Sequence, residues 1–263
     1  MDAFKSTSVR AFEGQMIKPN ELIEIKGIGP LTLVDRRVFN VLLNNAWGKD
    51  IVKHQHKFSI NATELKDVDQ NNQRLRRTLK KLQQTLVVAV QANEDEVVSQ
   101  LLGSTILKAS GELIYTFPSE LSELLKNSSV FAKLDLEVMK SFSSKYAFTL
   151  YEHISRRINL KHKMMETLDV DDIREMLGVE DGKLAGYRNL RIKAIEPAVE
   201  EVNAITPYQV TILPQTKGRK VTHFIMGWSV KDTDGMQRAY KELQQPKVGR
   251  RARVDGSTDG VIE

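Results

Sequence analysis

Cysteine is absent from all 263 residues. That excludes disulfides and thiolate metal sites, and it fits an intracellular protein. Long apolar runs are missing too. No stretch approaches the ~20 residues needed to span a bilayer, and the first residues lack the apolar core of a signal peptide. The expectation is a soluble, cytoplasmic protein with no membrane partner. No Gly-x-x-x-x-Gly-Lys-Ser/Thr phosphate cradle occurs. Gly27-Ile28-Gly29-Pro30 is too short for one and reads as a helix-start turn. His54-Gln55-His56 is the single His-x-His, with a polar middle residue and no third ligand near in sequence. It does not make the metal pair of a nicking enzyme and reads as two surface histidines on a strand. His153, His162 and His223 are scattered. Glu94, Asp95 and Glu96 read as an exposed turn, and Asp169, Asp171 and Asp172 as a helix N-terminus, where negative charge is favourable. No catalytic constellation, metal site or cofactor is expected.

What is present is basic and repeated. Lys and Arg number 39 against 34 Asp and Glu, a net charge of +5. The excess is modest, but it concentrates in a few segments. An apolar fraction of 41% is enough for folded cores, and this length accommodates two ordinary domains. Residues 31–117 and 144–230 follow the same order: a long amphipathic helix, a strand, two helices and a basic strand-turn-strand. Identity between the halves is low; the element order carries the repeat.

In the first half, the chain is expected to be polar over residues 1–20, with a short strand over 21–25. Val34, Val38, Val41, Leu42 and Ala46 recur at helical spacing after Thr32, and Gly48 ends that helix. A strand over 57–60 precedes a small helix through residue 68, with Asn61 as its N-cap. After a turn over 69–72, a helix over 72–84 buries Leu75, Leu79 and Leu82. Its outward face presents Gln73, Arg77, Lys80 and Gln84, flanked by Arg76 and Lys81. The plain reading of such a face is solvation; its lack of acidic residues and its place as second helix of a pair favour DNA. Strands over 86–90, 97–106 and 112–117 follow, the last two joined as a hairpin wing by Lys108–Gly111. A short helix over 119–126 leads to a linker at 127–129.

The second half has a helix from Ser144 to Ile158, then a short helix over 170–177 capped by Asp169 and closed by Gly178. A helical region over 187–203 must break or restart at Pro197, which lacks an amide donor. Arg188, Asn189, Arg191 and Lys193 stand at its start. A helical wheel turns Asn189 and Lys193 outward and Arg191 toward the apolar side. Strands over 210–213 and 221–230 flank a turn bearing Lys217, Arg219 and Lys220, a wing tip suited to phosphate. The fold class is therefore α+β, two tandem winged-helix domains. They are expected over 28–132 and 133–235, between a partly flexible arm (1–27) and a disordered basic tail (236–263).

A major groove accepts one helix. Arg76 and Arg77 would read guanine, and Lys80 and Lys81 would hold phosphates. Two such units on one chain would read successive major-groove faces of double-stranded DNA about one helical turn apart, a geometry suited to direct repeats.

These residues resemble a family. Met16–Ile25 and Leu31–Leu42 look like the opening of theta-type plasmid replication initiators, the iteron-binding Rep proteins. Phe142–Glu152 is similar to the segment that opens their second winged helix. Ile195–Asn203, followed by Lys217-Gly218-Arg219-Lys220 and a hydrophobic strand, is similar to their later signature. The resemblance spans about residues 16–230. It implies binding to direct repeats at a plasmid origin, opening of a neighbouring AT-rich stretch, and recruitment of the host replicative helicase and chromosomal initiator. It also implies a homodimer in equilibrium with monomer, formed mainly through the first domain, that represses its own promoter. The alternative is a winged-helix transcriptional regulator without a replication role.

Overall fold

The computed structural model describes residues 9–48, 51, 56–65, 72–90, 95–160 and 162–258, without the side chains of 127 and 255–258. The chain divides into two compact units, 1–136 and 137–263.

The first unit opens on β1 (Gln15–Pro19) and the single-turn α1 (Asn20–Ile23). Residues 15–19 are therefore not part of a loose polar arm. Met16 and Ile17 are buried, and β1 pairs antiparallel with β7 (Phe131–Asp135), Gln15 opposite Asp135. The strand expected over 21–25 is likewise corrected. Leu22 and Ile23 are both buried in this single helical turn, which closes with Glu24 N–H donating to Asn20 O at 2.8 Å. Next, α2 (Leu33–Ala46) starts at a reciprocal cap. Asp35 N–H donates to Thr32 Oγ1 at 3.2 Å, and Thr32 N–H donates to Asp35 Oδ2 at 2.8 Å.

β2 (Phe58–Asn61) runs into a 3₁₀ turn, Ala62–Leu65, whose start Asn61 caps by accepting from Thr63 N–H. The expected end of that helix and the turn after it, like His54, lie outside the described residues. α3 (Asn72–Gln84) has the expected bounds and buries Leu75, Thr78, Leu79 and Leu82. β3 (Leu86–Val90) and β4 (Glu96–Gln100) form one hairpin. Gly27 passes so close to β3 that a Cβ there would lie 2.6 Å from the Leu86 carbonyl. The strand expected over 97–106 is broken. Leu101 and Leu102 are both buried, and the chain turns there into a second sheet. That sheet has the order β2-β6-β5, with β5 Thr105–Leu107 and β6 Glu112–Tyr115 joined at Lys108–Gly111. Phe39, Phe58, Tyr115 and Phe117 cluster behind it. After α4 (Ser119–Asn127), the expected linker is a tight corner. Ser128 is buried, and its hydroxyl donates to Val130 O.

The second unit begins in α5 (Leu136–Ser141) and α6 (Lys145–Arg157), the latter capped by Ser144. β8 (Met165–Asp169) fills the strand position of the repeated order, between α6 and the helical pair. It is held to α6 through Glu166, which accepts from Arg157 Nε at 2.6 Å. α7 (Val170–Met176) carries the Asp169–Asp172 capping box. Then come α8 (Tyr187–Leu190), a π-helical turn over Arg191–Ile195 and α9 (Glu196–Ile205). β9 (Tyr208–Lys217) and β10 (Lys220–Val230) complete a sheet of order β8-β10-β9. Both three-stranded sheets thus place their last strand in the centre.

The tail expected to be disordered continues as α10 (Thr233–Leu243) and α11 (Arg250–Thr258). Two of its arginines are paired internally. Glu242 accepts from Arg253 at 2.6 Å, and Arg250 is buried. No helix among the described residues is long and apolar enough to cross a membrane.

Candidate nucleic-acid interface

A helix that enters a groove must be held by one face and leave the other bare. α3 meets both conditions. Its outer residues Gln73, Arg76, Arg77 and Lys80 are exposed. It carries Arg74, Arg76, Arg77, Lys80 and Lys81 and no acidic residue. Arg74, an exposed cation in the first turn, belongs with this set although the outward stripe passes beside it.

The inner face is locked by one carboxylate. Asp35, buried on α2, accepts from Thr78 Oγ1 at 2.9 Å and pairs with Lys81 Nζ at 3.2 Å. Burial pushes this carboxyl up, but the hydrogen bonds from Thr32, Thr78 and Lys81 outweigh it and hold the group below its ordinary value. Lys81 is therefore placed differently from a free phosphate contact: its ammonium fastens α3 to α2. Among the described residues, no acidic side chain pairs with Arg76, Arg77 or Lys80.

In the second unit, Arg188, Asn189, Arg191 and Lys193 are all exposed, while Leu190, Ala194 and Ile195 are buried. The wheel's inward placement of Arg191 is corrected by the π turn. Pro197 cannot donate to the Lys193 carbonyl, so the regular ladder fails there. Glu196 N–H instead donates five residues back, to Arg191 O. Arg191 is thereby stacked over Glu196 rather than over buried Ile195, and its Nε pairs with Glu196 Oε1 at 3.0 Å. Arg188, Asn189 and Lys193 have no acidic partner among the described residues.

The β9–β10 wing is fixed at its base. Asn203 on α9 donates to Val210 O at 2.9 Å and accepts from Val210 N–H at 2.7 Å. At the tip, Lys217 stands opposite Lys220 across a two-residue turn in which Gly218 has φ +64°. Lys217, Arg219 and Lys220 are exposed. The first unit's wing tip differs: Lys108 Nζ meets Glu112 at 2.6 Å. In each unit the expected residues stand exposed, except Lys81, which is half-buried.

Among the described residues, no three His, Cys, Asp or Glu side chains group as a metal site. His56 lies with its ring 4.8 Å from that of Phe58. His153 is buried, its Nδ1 3.0 Å from Arg157 Nη1.

Two family models match the chain: initiator replication protein, first winged-helix domain, over residues 15–155, and initiator Rep protein, second winged-helix domain, over 169–228. The first match extends past the structural division at residue 136 into α6. No curated protein sequence matches. Among solved structures the chain is similar to the Pi initiator protein in complex with iteron DNA. Identity is 19%, the alignment covers 85% of this chain and 100% of that one, and the TM-score is 0.58. At that identity the likeness establishes a shared fold. Both units are winged helices, as the element order in the sequence implied.

Proposed function

The chain belongs to the initiator replication protein family, and from that membership we propose that it starts plasmid replication by binding direct repeats in double-stranded DNA at the origin. The observation that carries this reading is the bare, acid-free outer face of α3, matched by Arg188, Asn189 and Lys193 on the second unit's helix. In the proposed complex α3 lies in a major groove. Arg76 or Arg77 donates both arms of its guanidinium to guanine O6 and N7, with Gln73 beside it and Lys80 on a phosphate. Lys81 contributes by fixing the helix rather than by touching DNA. In the second unit Asn189 and Lys193 meet base edges and Arg188 and Arg191 flank them. Lys217, Arg219 and Lys220 grip the sugar-phosphate backbone from the wing.

The family resemblance supports the later steps of the proposal. These are opening of an adjacent AT-rich stretch, recruitment of the host helicase and chromosomal initiator, and autorepression by a homodimer. The mechanism is positional and uses no catalytic group. A transformation assay tests it: the gene with its flanking repeats is placed on a plasmid that lacks its own replication function. Stable maintenance is the expected result. Promoter repression without maintenance would identify a transcriptional regulator instead.

A further inference from the structure

The helix that presents Arg188, Asn189 and Lys193 continues inward to Glu201, a residue 7% exposed. Glu201 does two things. Its Oε1 accepts from Ser143 N–H at 2.7 Å and its Oε2 from Ser144 N–H at 3.2 Å, supplying acceptors at the start of α6. The same Oε1 also accepts from Arg250 Nη1 at 3.0 Å. Arg250 is 6% exposed and opens α11. Its Nη1 donates as well to Ser141 O, at 2.7 Å, and its Nε reaches Glu242 on α10 at 3.4 Å. Glu242 in turn is held ionised chiefly by its hydrogen bond from Arg253. One guanidinium thus joins the end of α5, the rear of α9, α10 and α11.

An Arg rather than a Lys suits this place. Three acceptors on three elements require donors fixed in a plane, which an ammonium on a flexible stem does not supply. Buried charge pairs are poor sources of net stability but costly to break, because the partner is left uncompensated. The pair is therefore a geometric constraint on α9, and through α9 on the π turn and the residues before it.

We infer that Arg250 is a positioning residue for DNA recognition. Without touching DNA, it clamps Glu201 and so sets the pose of the helix carrying Arg188, Asn189 and Lys193. The inference rests on the proposed DNA-reading role of that helix. It also gives the C-terminal segment a task that its basic composition conceals, since Arg250 faces inward.

The test uses the full chain with Arg250→Met, Arg250→Lys and Arg251→Ala, the last an exposed neighbour on α11. Amide hydrogen exchange is measured without DNA. Affinity is measured on duplexes carrying the flanking repeats and on random duplexes of equal length, over a range of salt. Arg250→Met is expected to speed exchange at residues 188–195 while α3 stays protected. It should weaken repeat binding by about tenfold, the scale of energetic coupling between distant positions, with random-sequence affinity and the salt slope unchanged. Arg250→Lys should recover part of the loss, and Arg251→Ala should show none. Wild-type exchange and affinity in Arg250→Met would overturn the inference. So would a flatter salt slope with weaker random binding, which would mean that Arg250 meets phosphate itself. If the wild-type chain does not prefer its repeats, the proposed function fails, while the exchange data still decide whether Arg250 orders the helix.

Discussion

The strands of the second unit's wing are 10 and 11 residues long, those of the first unit's wing 3 and 4. Both units have a capped helix, an edge strand, a short helical turn, a second helix, and a hairpin whose return strand is central; in the first unit the β3–β4 hairpin intervenes between the second helix and the wing. The difference extends to charge. The long wing ends in three exposed cations, whereas the short one ends in a lysine already paired with Glu112. The helices differ in the opposite sense. α3 is unbroken and carries five cations with no acid, while its counterpart is interrupted by a π turn and spends Arg191 on Glu196. On the proposed reading, one frame would divide the work differently: the first unit would rely on its helix, and the second would share the contacts between helix and wing.

The largest expected effect tests how the first helix is held. Asp35→Ala removes the acceptor of Thr78 and Lys81 and should cost about 2–4 kcal/mol of stability in the first unit, the scale for orphaning buried polar partners. Hydrogen exchange resolved by unit checks this, with the second unit unaffected. The same carboxyl gives a pH dependence. Its folded pKa lies below its ordinary 3.8, so its contribution is complete above that value and is lost as pH falls through the lowered one. Protection of the first unit should therefore fall with acid in the wild type and show a weaker dependence in Asp35→Asn.

Next in size, Arg77→Ala and Lys193→Ala should each weaken repeat binding by ~1–3 kcal/mol while sparing random DNA. Arg191→Ala should cost less, because Glu196 already holds that guanidinium. Equal losses on all sequences would place Arg77 and Lys193 on phosphate rather than on bases. Tyr115→Phe is a control for the core behind the first wing. The Tyr115 hydroxyl donates to Leu42 O at 2.7 Å and accepts from Asn45 at 2.9 Å, and burial pushes its pKa up to about 12. Loss of about 1 kcal/mol in denaturant unfolding is expected, without change in DNA preference.

The smallest effect separates the wings. Lys220→Ala should flatten the salt dependence of binding by about one unit of slope. Lys108→Ala should change it less, since Lys108 is already paired with Glu112. A matching loss at both tips would erase the difference between the two wings.

The parts visible in the sequence were those fixed by local rules. α2, α3, α6 and α7 have apolar stripes at helical spacing and, where capped, side chains that satisfy the first amides within three residues. Their bounds followed from the residues alone. The strand β1 did not. Its partner β7 lies more than a hundred residues away, and a segment containing Lys18 and Pro19 gives no local strand signal. Adjacent buried pairs misled in two places, Leu22-Ile23 and Leu101-Leu102, where the chain turns instead of running straight. The C-terminal helices were hidden because polar composition resembles a solvated tail until Arg250, Glu201, Glu242 and Arg253 are seen to satisfy one another. At the interface, exposure of the outer faces was legible from the wheel. The capture of Lys81 by Asp35 was not, because it depends on packing between two helices. The outward turn of Arg191 was not, because one additional residue in a single turn changes which side chains stack.

The central claim is that α3 and the α8–α9 helix both read the duplex. Hydroxyl-radical and methylation-interference footprinting of the full chain on its flanking repeats, with Arg77→Ala and Lys193→Ala in parallel, tests it most directly. Two protected major-groove segments are predicted, one lost in each variant. A single protected segment, or a footprint that neither variant alters, would contradict the account.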